Sequence, residues 1–276
     1  MYIPIFYQPS NPKNEIQFRT PAVNDALAFC GTSPDQEEQA TTRYLNSVQL
    51  GVMQDSAKWT AQDRRTALWW IHTHSQPNGA EQTVSYQCSH CGELHHYDFD
   101  LCGLAEDLEL LTVPPHIEIN IPVKGIPYQW HLKPIDGLGM EHLEMMYSNL
   151  PAEDAPNYET ELANLRLVEI TLQAHLAEQP GDFQEAAEMR YELIRSMETY
   201  SEFLPLVANV KKMQETLRHG LPITIRKGTA QLYIKPHNCP TLAKEGQAIS
   251  TRLFFQFRCV DYLPGHVVKL LGDPNS

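Results

Sequence analysis

The sequence predicts an α+β fold, because strand-like and helix-like periodicities occupy separate parts of the chain. Apolar residues alternate through two candidate hairpins, at residues 83–100 and 117–132, whereas residues 158–217 carry them at a helical spacing. An acidic, proline-broken stretch at 151–156 separates the two patterns. We therefore expect a mixed α+β domain with short helices at residues 1–150. Residues 151–276 are expected to form a paired-helix arm and a small C-terminal antiparallel sheet.

The first domain is predicted to begin with short extended segments and to continue with three helices. Apolar residues alternate from Ile3 to Tyr7, and prolines follow. The helices are expected to start near Asn24, Ser33 and Thr60, residue types whose side chains accept hydrogen bonds from first-turn amides. The third helix ends at a His-Thr-His run, where unpaired carbonyls favour imidazole.

The first candidate hairpin carries a Cys-x-x-Cys-Gly turn at its tip. Alternation before the turn places Cys88 on the face shared by Val84 and Tyr86, and alternation resumes after the turn up to residue 100. Two cysteines at this spacing can direct both sulfurs at one cation, since Gly92 relieves the backbone where amides turn toward the thiolates. We predict a zinc-stapled hairpin in which Cys88 and Cys91 bind a structural zinc ion.

Structural zinc takes four nitrogen or sulfur ligands, and the sequence gives the remaining two only as alternatives. No second Cys-x-x-Cys occurs. The residues near the hairpin that can supply the third and fourth ligands are His72, His74, His95 and Cys102, with His96 also able to fold back across the turn. Cys30, His237, Cys239 and Cys259 have ligand chemistry but stay unassigned, Cys259 being most simply a buried small residue. The alternative is that the two turn cysteines are reduced thiols and the histidines ordinary polar residues.

The second half of the chain predicts two helices followed by strands. One apolar stripe runs to Pro180, and Asp182 with Glu185 forms a capping box that starts the next helix. Pro205 interrupts this second helical run before it continues to Gly220. Strands are expected at residues 223–225, 231–234 and 252–260. We expect this half to bind partners, with the last strand as an adhesive edge.

Composition and charge limit the function classes. The 276 residues have a formal net charge of -13, and a potential of this sign repels nucleic-acid backbones, so no direct nucleic-acid contact is expected. No apolar run is long enough for a membrane span, and the start lacks the pattern of a signal peptide. Six scattered cysteines do not make a disulfide framework, and we expect an intracellular protein.

Catalytic signatures are missing from the sequence. It contains no glycine-rich dinucleotide motif, phosphate loop, nucleophile elbow or His-Glu-x-x-His. We therefore expect no enzymatic activity and assign no catalytic residue. The alternative that stays open is an intracellular zinc-containing enzyme or nucleic-acid-modifying protein.

Several features follow one another in the first half of the chain: residues 16–21 (Ile-Gln-Phe-Arg-Thr-Pro), residues 68–71 (Leu-Trp-Trp-Ile), the Cys-x-x-Cys turn, residues 98–101 (Asp-Phe-Asp-Leu) and the hairpin after them. This order resembles the baseplate hub assembly proteins of T-even-like, contractile-tailed bacteriophages. It implies a non-enzymatic tail or baseplate component that contacts other tail proteins, in multiple copies within a symmetric assembly. It also implies a location in the host cytoplasm during assembly and in the virion tail afterwards.

Overall fold

A computed structural model describes residues 2–76, 80–226, 229–244, 250–251 and 253–265, and it confirms a mixed α+β fold. Arg252, where the last predicted strand begins, and residues 266–276 of the predicted second unit lie outside the described residues. The helices are α1 (Val23–Phe29), α2 (Glu37–Val48), α3 (Ala61–His74), α4 (Gly137–Ser148), α5 (Tyr158–Gln173), α6 (Phe183–Arg195), α7 (Leu204–Thr216) and α8 (Pro240–Lys244). Short 3-10 turns occupy Ser56–Lys58, Leu101–Asp107 and Cys259–Tyr262, and a π-helical turn occupies Thr199–Phe203.

The strands form small antiparallel sheets. They are β1 (Phe6–Tyr7), β2 (Glu15–Ile16), β3 (Glu81–Gln87), β4 (Leu94–Asp100), β5 (Ile117–Val123), β6 (Ile126–Leu132), β7 (Ala174–Leu176), β8 (Ile223–Arg226), β9 (Thr229–Tyr233), β10 (His237–Asn238), β11 (Ser250–Thr251) and β12 (Phe254–Gln256). The sheet orders are β1-β2, β3-β4, β5-β6-β7, β12-β9-β8 and β10-β11. In the turn between β5 and β6, Lys124 (φ 51°) and Gly125 (φ 79°) both have positive φ, as a tight two-residue hairpin turn requires.

Helix starts follow the predicted caps at Thr60 and Asp182 and differ at Asn24 and Ser33. Asn24 lies inside α1, whose N-cap position is Ala22. The hydroxyl of Thr60 accepts a hydrogen bond from the Asp63 amide, so it caps α3 as predicted. The second helix was expected from Ser33, but α2 begins at Glu37. Its first-turn amide at Glu38 bonds the Glu144 carboxylate of α4 (3.0 and 3.1 Å) instead of a local cap.

The first helix of the second half ends earlier than its apolar stripe predicts. α5 stops at Gln173, and the next three residues form β7 beside β6, with Trp130 opposite Leu176. Both of these side chains are buried. The sheet therefore overrides the helical pattern, because the added strand buries the same apolar residues and pairs their backbone.

The final strand is also shorter than predicted. β12 covers only residues 254–256 at the edge of its sheet. Arg258 then bonds the Glu37 carboxylate, and the chain turns inward so that Cys259 and Tyr262 are buried. The predicted long adhesive edge is thus replaced by a short strand and a turn that packs on α2 and α3.

Buried side chains form two main cores. The first core contains residues from the first 104 positions together with residues 221–263, and the second contains residues 111–217. A smaller cluster lies between α4, α5 and α6. The predicted division at residue 150 stays a prediction about folding units, but the packing itself joins the C-terminal strands to the N-terminal half. Among the described helices, none is long and apolar enough to cross a membrane.

Candidate metal centre

The hairpin of β3 and β4 aligns the Cys-x-x-Cys turn as the sequence predicts. Strand pairing runs from Glu81 opposite Asp100 to Gln87 opposite Leu94, so the turn occupies residues 88–93. Within it, the Cys88 amide donates to the carbonyl of Glu93 (2.9 Å), and the Gly92 amide donates to the carbonyl of Cys88 (2.8 Å). The turn is therefore closed by backbone hydrogen bonds on both sides of the cysteines.

Backbone amides in the turn point at the first sulfur. The amide of His90 donates to Cys88 Sγ at 3.4 Å. Hydrogen bonds from the Cys91 and His90 amides lower the pKa of the Cys88 thiol to about 7, despite its burial. Such bonds favour the thiolate, which is the form that binds metals.

Four ligand atoms converge at the tip of the hairpin. They belong to Cys88, Cys91, His95 and Cys239, and all lie within 4.8 Å of one another. Cys239 Sγ is 3.7 Å from both Cys88 Sγ and Cys91 Sγ. His95 Nε2 is 3.2 Å from Cys91 Sγ and 4.0 Å from Cys239 Sγ.

These distances match the edges of a metal-centred tetrahedron. With zinc bond lengths of about 2.3 Å to sulfur and about 2.0 Å to nitrogen, the sulfur–sulfur edges of a tetrahedron are about 3.8 Å and the sulfur–nitrogen edges about 3.5 Å. A disulfide would need sulfurs about 2.0 Å apart, and all six cysteines are free. Three thiols and one imidazole at this spacing can therefore hold one metal ion, and the donor set is compatible with zinc.

Cys91 differs from Cys88 in its electrostatic surroundings. A hydrogen bond from the Glu93 amide lowers the pKa of the Cys91 thiol, but burial and the thiols of Cys239 and Cys88 outweigh it and leave the pKa raised. Three thiols in contact oppose one another's ionisation. A cation between them removes that opposition, and its binding releases the protons.

Contacts beside the ligands hold the Cys239 segment against the hairpin. His237 stacks on Tyr97 with 4.2 Å between ring centroids, and its Nε2 lies 2.6 Å from the Tyr86 hydroxyl. Thr241 donates its hydroxyl hydrogen to the Glu93 carboxylate at 2.5 Å. Cys239 is fully buried beneath these contacts, so its sulfur is positioned by packing as well as by the cluster.

Two histidines predicted as possible ligands lie elsewhere. His72 packs edge-on against Tyr262, with its Nε2 3.0 Å from the side-chain nitrogen of Gln76. The His74 ring packs against Trp70 at a tilt of 39° with 4.0 Å between ring centroids, and its Nδ1 lies 2.9 Å from the Trp70 carbonyl oxygen. Both side chains therefore make their contacts near the C-terminal end of α3 and lie outside the candidate metal cluster.

Cys102 is also outside the cluster. It follows the last residue of β4, so the full seven-residue length of the hairpin strands separates it from the turn. Its amide donates to the Asp100 carboxylate at 2.9 Å, and burial raises the pKa of its thiol.

His96 and Cys259 also lie outside the cluster. The His96 ring lies on the opposite face of β4, with its Nδ1 2.9 Å from the Ser85 hydroxyl. Cys259 is buried, and burial raises the pKa of its thiol to about 12.

Of the predicted ligands, the structure thus brings together Cys88, Cys91 and His95, and it adds Cys239. Cys239 lies 148 residues from Cys91 along the chain, so no local spacing connects the two. The signal available in the sequence was a cysteine in a Pro-His-Asn-Cys-Pro segment together with a metal site lacking ligands. Cys239 reaches the cluster because β10 and β12 pack on the hairpin. In that packing the Phe99 ring stacks on Phe255 with 5.1 Å between ring centroids.

Comparison with known proteins adds no assignment: no family model, curated protein or solved structure matches this chain.

Proposed function

We propose that the cluster of Cys88, Cys91, His95 and Cys239 binds a structural zinc ion in a non-enzymatic component of a contractile phage tail baseplate. The observation that carries the structural role is that four protein ligand atoms lie within 4.8 Å of one another. Structural zinc sites have four protein ligands, whereas catalytic ones keep a position open for water. This favours a structural role over the alternative of a zinc enzyme.

The ion joins two distant parts of the chain. Three ligands come from the hairpin turn and the start of β4, and the fourth follows β10. A structural zinc site contributes on the order of 10 kcal/mol of apparent binding free energy. Zinc therefore holds the C-terminal sheet on the hairpin and completes the first core.

The distribution of charge supports action through protein contacts. Residues 151–202 contain twelve of the 34 acidic residues but only three of the 21 basic ones. Most of these acids are exposed, including Glu159, Glu185 and Glu188, and Tyr200 is 84% exposed beside them. A surface of this kind repels nucleic-acid phosphates and complements a basic protein surface. It therefore fits docking to another tail protein in the assembly.

Metal content tests the zinc site. Protein purified without chelator is expected to hold one zinc ion per chain at the cluster, and the double variant Cys88→Ser with Cys91→Ser is expected to lose that ion. Cys102→Ser is the matched control, since Cys102 lies in the same region but outside the cluster, and it should keep the ion. A double variant that keeps as much zinc as the wild type, or a wild type without zinc, contradicts the proposal.

Genetic removal tests the assembly role. We expect that deleting the gene in the genome that encodes it leaves free tail tubes or incomplete baseplates in electron micrographs, and that a copy supplied in trans restores complete tails. Neighbouring genes for tail tube, tape measure or spike agree with this role. Normal tails in the deletion strain contradict the baseplate role but leave the zinc site intact as a separate result.

A further inference from the structure

A second group of metal-binding side chains lies on the sheet of β5, β6 and β7, apart from the cysteine cluster. The strand register places Glu118 of β5 directly opposite His131 of β6. His116, two residues before Glu118, falls on the same side of the sheet. The His116 and His131 rings lie 5.8 Å apart and are inclined by 29°.

The carboxylate lies between the two imidazoles. Glu118 Oε1 is 3.8 Å from His116 Nε2 and 3.8 Å from His131 Nε2. Its other oxygen accepts a hydrogen bond from the Gln129 side chain at 3.2 Å, which orients the carboxylate. Such a bond to a ligand carboxylate is typical of the surroundings of metal sites.

One of these nitrogens lacks a partner. His131 Nε2 is shielded from solvent and has no hydrogen bond. A buried polar atom without a partner is unusual in a folded protein and needs an explanation. The lone pair of a neutral imidazole is satisfied when it binds a metal ion.

We propose that His116, Glu118 and His131 bind one divalent transition-metal ion through the two Nε2 atoms and Glu118 Oε1. Two imidazoles and a carboxylate suit zinc and the neighbouring first-row metals, and three protein ligands leave a position for water. This site therefore differs from the closed cysteine cluster.

Binding requires the group to contract. A tetrahedral ion with bonds of about 2.1 Å would place each pair of ligand atoms about 3.4 Å apart, so both 3.8 Å nitrogen–oxygen separations must shorten. The two Nε2 atoms must approach each other further, because the three ligand atoms do not all lie within 4.8 Å of one another. The Glu118 side chain is 54% exposed and that of His116 is 36% exposed, so both can rotate inward.

His175 is not a ligand in this proposal. It lies opposite His131 on β7, but its Nε2 is engaged with the Leu172 carbonyl at 3.2 Å. The competing explanation for the group is a proton: a charged imidazole paired with Glu118 needs no metal. Metal titration separates the two.

The test uses the full chain with its cysteine cluster already filled by one zinc ion. Zn²⁺ is titrated near neutral pH by isothermal calorimetry, and binding of a second equivalent is expected. His116→Gln and Glu118→Gln should each weaken that second event by more than tenfold. Glu159→Gln, which changes an exposed glutamate of α5, is the matched control and should leave it unchanged.

Nitrogen-15 NMR of the imidazoles identifies the ligand atoms. Both Nε2 signals, from His116 and His131, should shift when the second ion binds. A chain that takes up no second equivalent, a second event that both variants keep, or Nε2 signals that stay in place would each overturn the site. If a variant does not fold, the NMR result on the wild type decides.

Discussion

The two cores of the molecule are built from chain segments at very different sequence separations. The first core joins the N-terminal 104 residues to residues 221–263, whereas the second is contained within residues 111–217. Bringing distant segments together costs more chain entropy than packing consecutive ones. The candidate metal cluster lies where that cost is larger, between the hairpin and the segment that carries Cys239.

A buried polar network also connects segments of the first core that are distant in sequence. Asp63 of α3 accepts hydrogen bonds from the Ser10 amide and the Gln8 side chain, both at 2.9 Å. His219 reaches the same place, with its Nε2 2.8 Å from the Thr60 hydroxyl. The first core is thus held by specific contacts between segments, in this polar network and in the candidate metal cluster, and the second by helices packed on a sheet.

Removal of the metal ion is expected to give the largest difference in stability between the two cores. In the double variant Cys88→Ser with Cys91→Ser, the lost binding free energy is on the order of 10 kcal/mol. Hydrogen exchange should then lose its protection in residues 81–100 and 229–244, while residues 158–216 keep theirs. Equal loss in both cores, or loss in neither, would show that the metal does not distinguish them.

Two buried tryptophans, one in each core, allow the contribution of side-chain packing to stability to be compared between the cores. Trp69 in the first core and Trp130 in the second are both fully buried, and each donates its indole hydrogen to a backbone carbonyl. Each change to Ala should cost about 3 to 5 kcal/mol of unfolding free energy, measured by urea denaturation. Trp130→Ala should leave the zinc content of the folded chain unchanged. Loss of zinc on that substitution would mean that the cores are coupled.

Acid should weaken the second core through His175. Burial, followed by the charges of Arg190 and Lys133, lowers the pKa of His175 from its ordinary 6.5 to about 3. The unfolded chain therefore binds a proton that the folded chain excludes, so stability is complete above pH 6.5 and is lost as the pH falls toward 3. Between pH 8 and pH 5 the loss is about 2 kcal/mol.

His175→Gln isolates this contribution, because any effect of acid on the candidate metal cluster is the same in both proteins. We expect the difference in unfolding free energy between wild type and variant to change by the same amount over that pH interval. A constant difference would show that His175 titrates normally.

The smallest expected effect concerns the start of α6. The Asp182 side chain accepts a hydrogen bond from the Glu185 amide at 3.0 Å, which is one of the two bonds of the predicted capping box. Asp182→Ala should cost about 1 kcal/mol in urea denaturation. Asp154→Ala, at another exposed acid of the same half, is the control and should cost less. Equal values would mean that the cap adds no stability beyond a surface charge.

Local patterns predicted most of the elements near the metal centre. The alternation in residues 83–100 is observed, with His95, Tyr97 and Phe99 half-buried and the residues between them exposed. Thr60 and Asp182 cap their helices, since a cap depends only on residues three positions apart. Three of the four cluster residues also came from within one hairpin.

What the sequence could not predict depends on long-range pairing. β7 exists because β6 is available as a neighbour, and an apolar stripe of helical period contains no information about that strand. Cys239 is the same case, because it joins the candidate metal cluster only when the C-terminal sheet packs on the hairpin. His72 and His74 lie closer to the hairpin in sequence than Cys239 does, but their side chains contact Gln76 and Trp70 near the end of α3.

X-ray absorption at the zinc edge of the purified wild-type chain most directly tests whether Cys239 closes the site. Three sulfurs at about 2.3 Å and one nitrogen at about 2.0 Å are expected in the spectrum of the first bound ion. Cys239→Ser should reduce the sulfur number by one while nitrogen stays. A wild-type spectrum with only two sulfurs, or a Cys239→Ser spectrum identical to it, would contradict a metal centre that joins the hairpin to the C-terminal sheet.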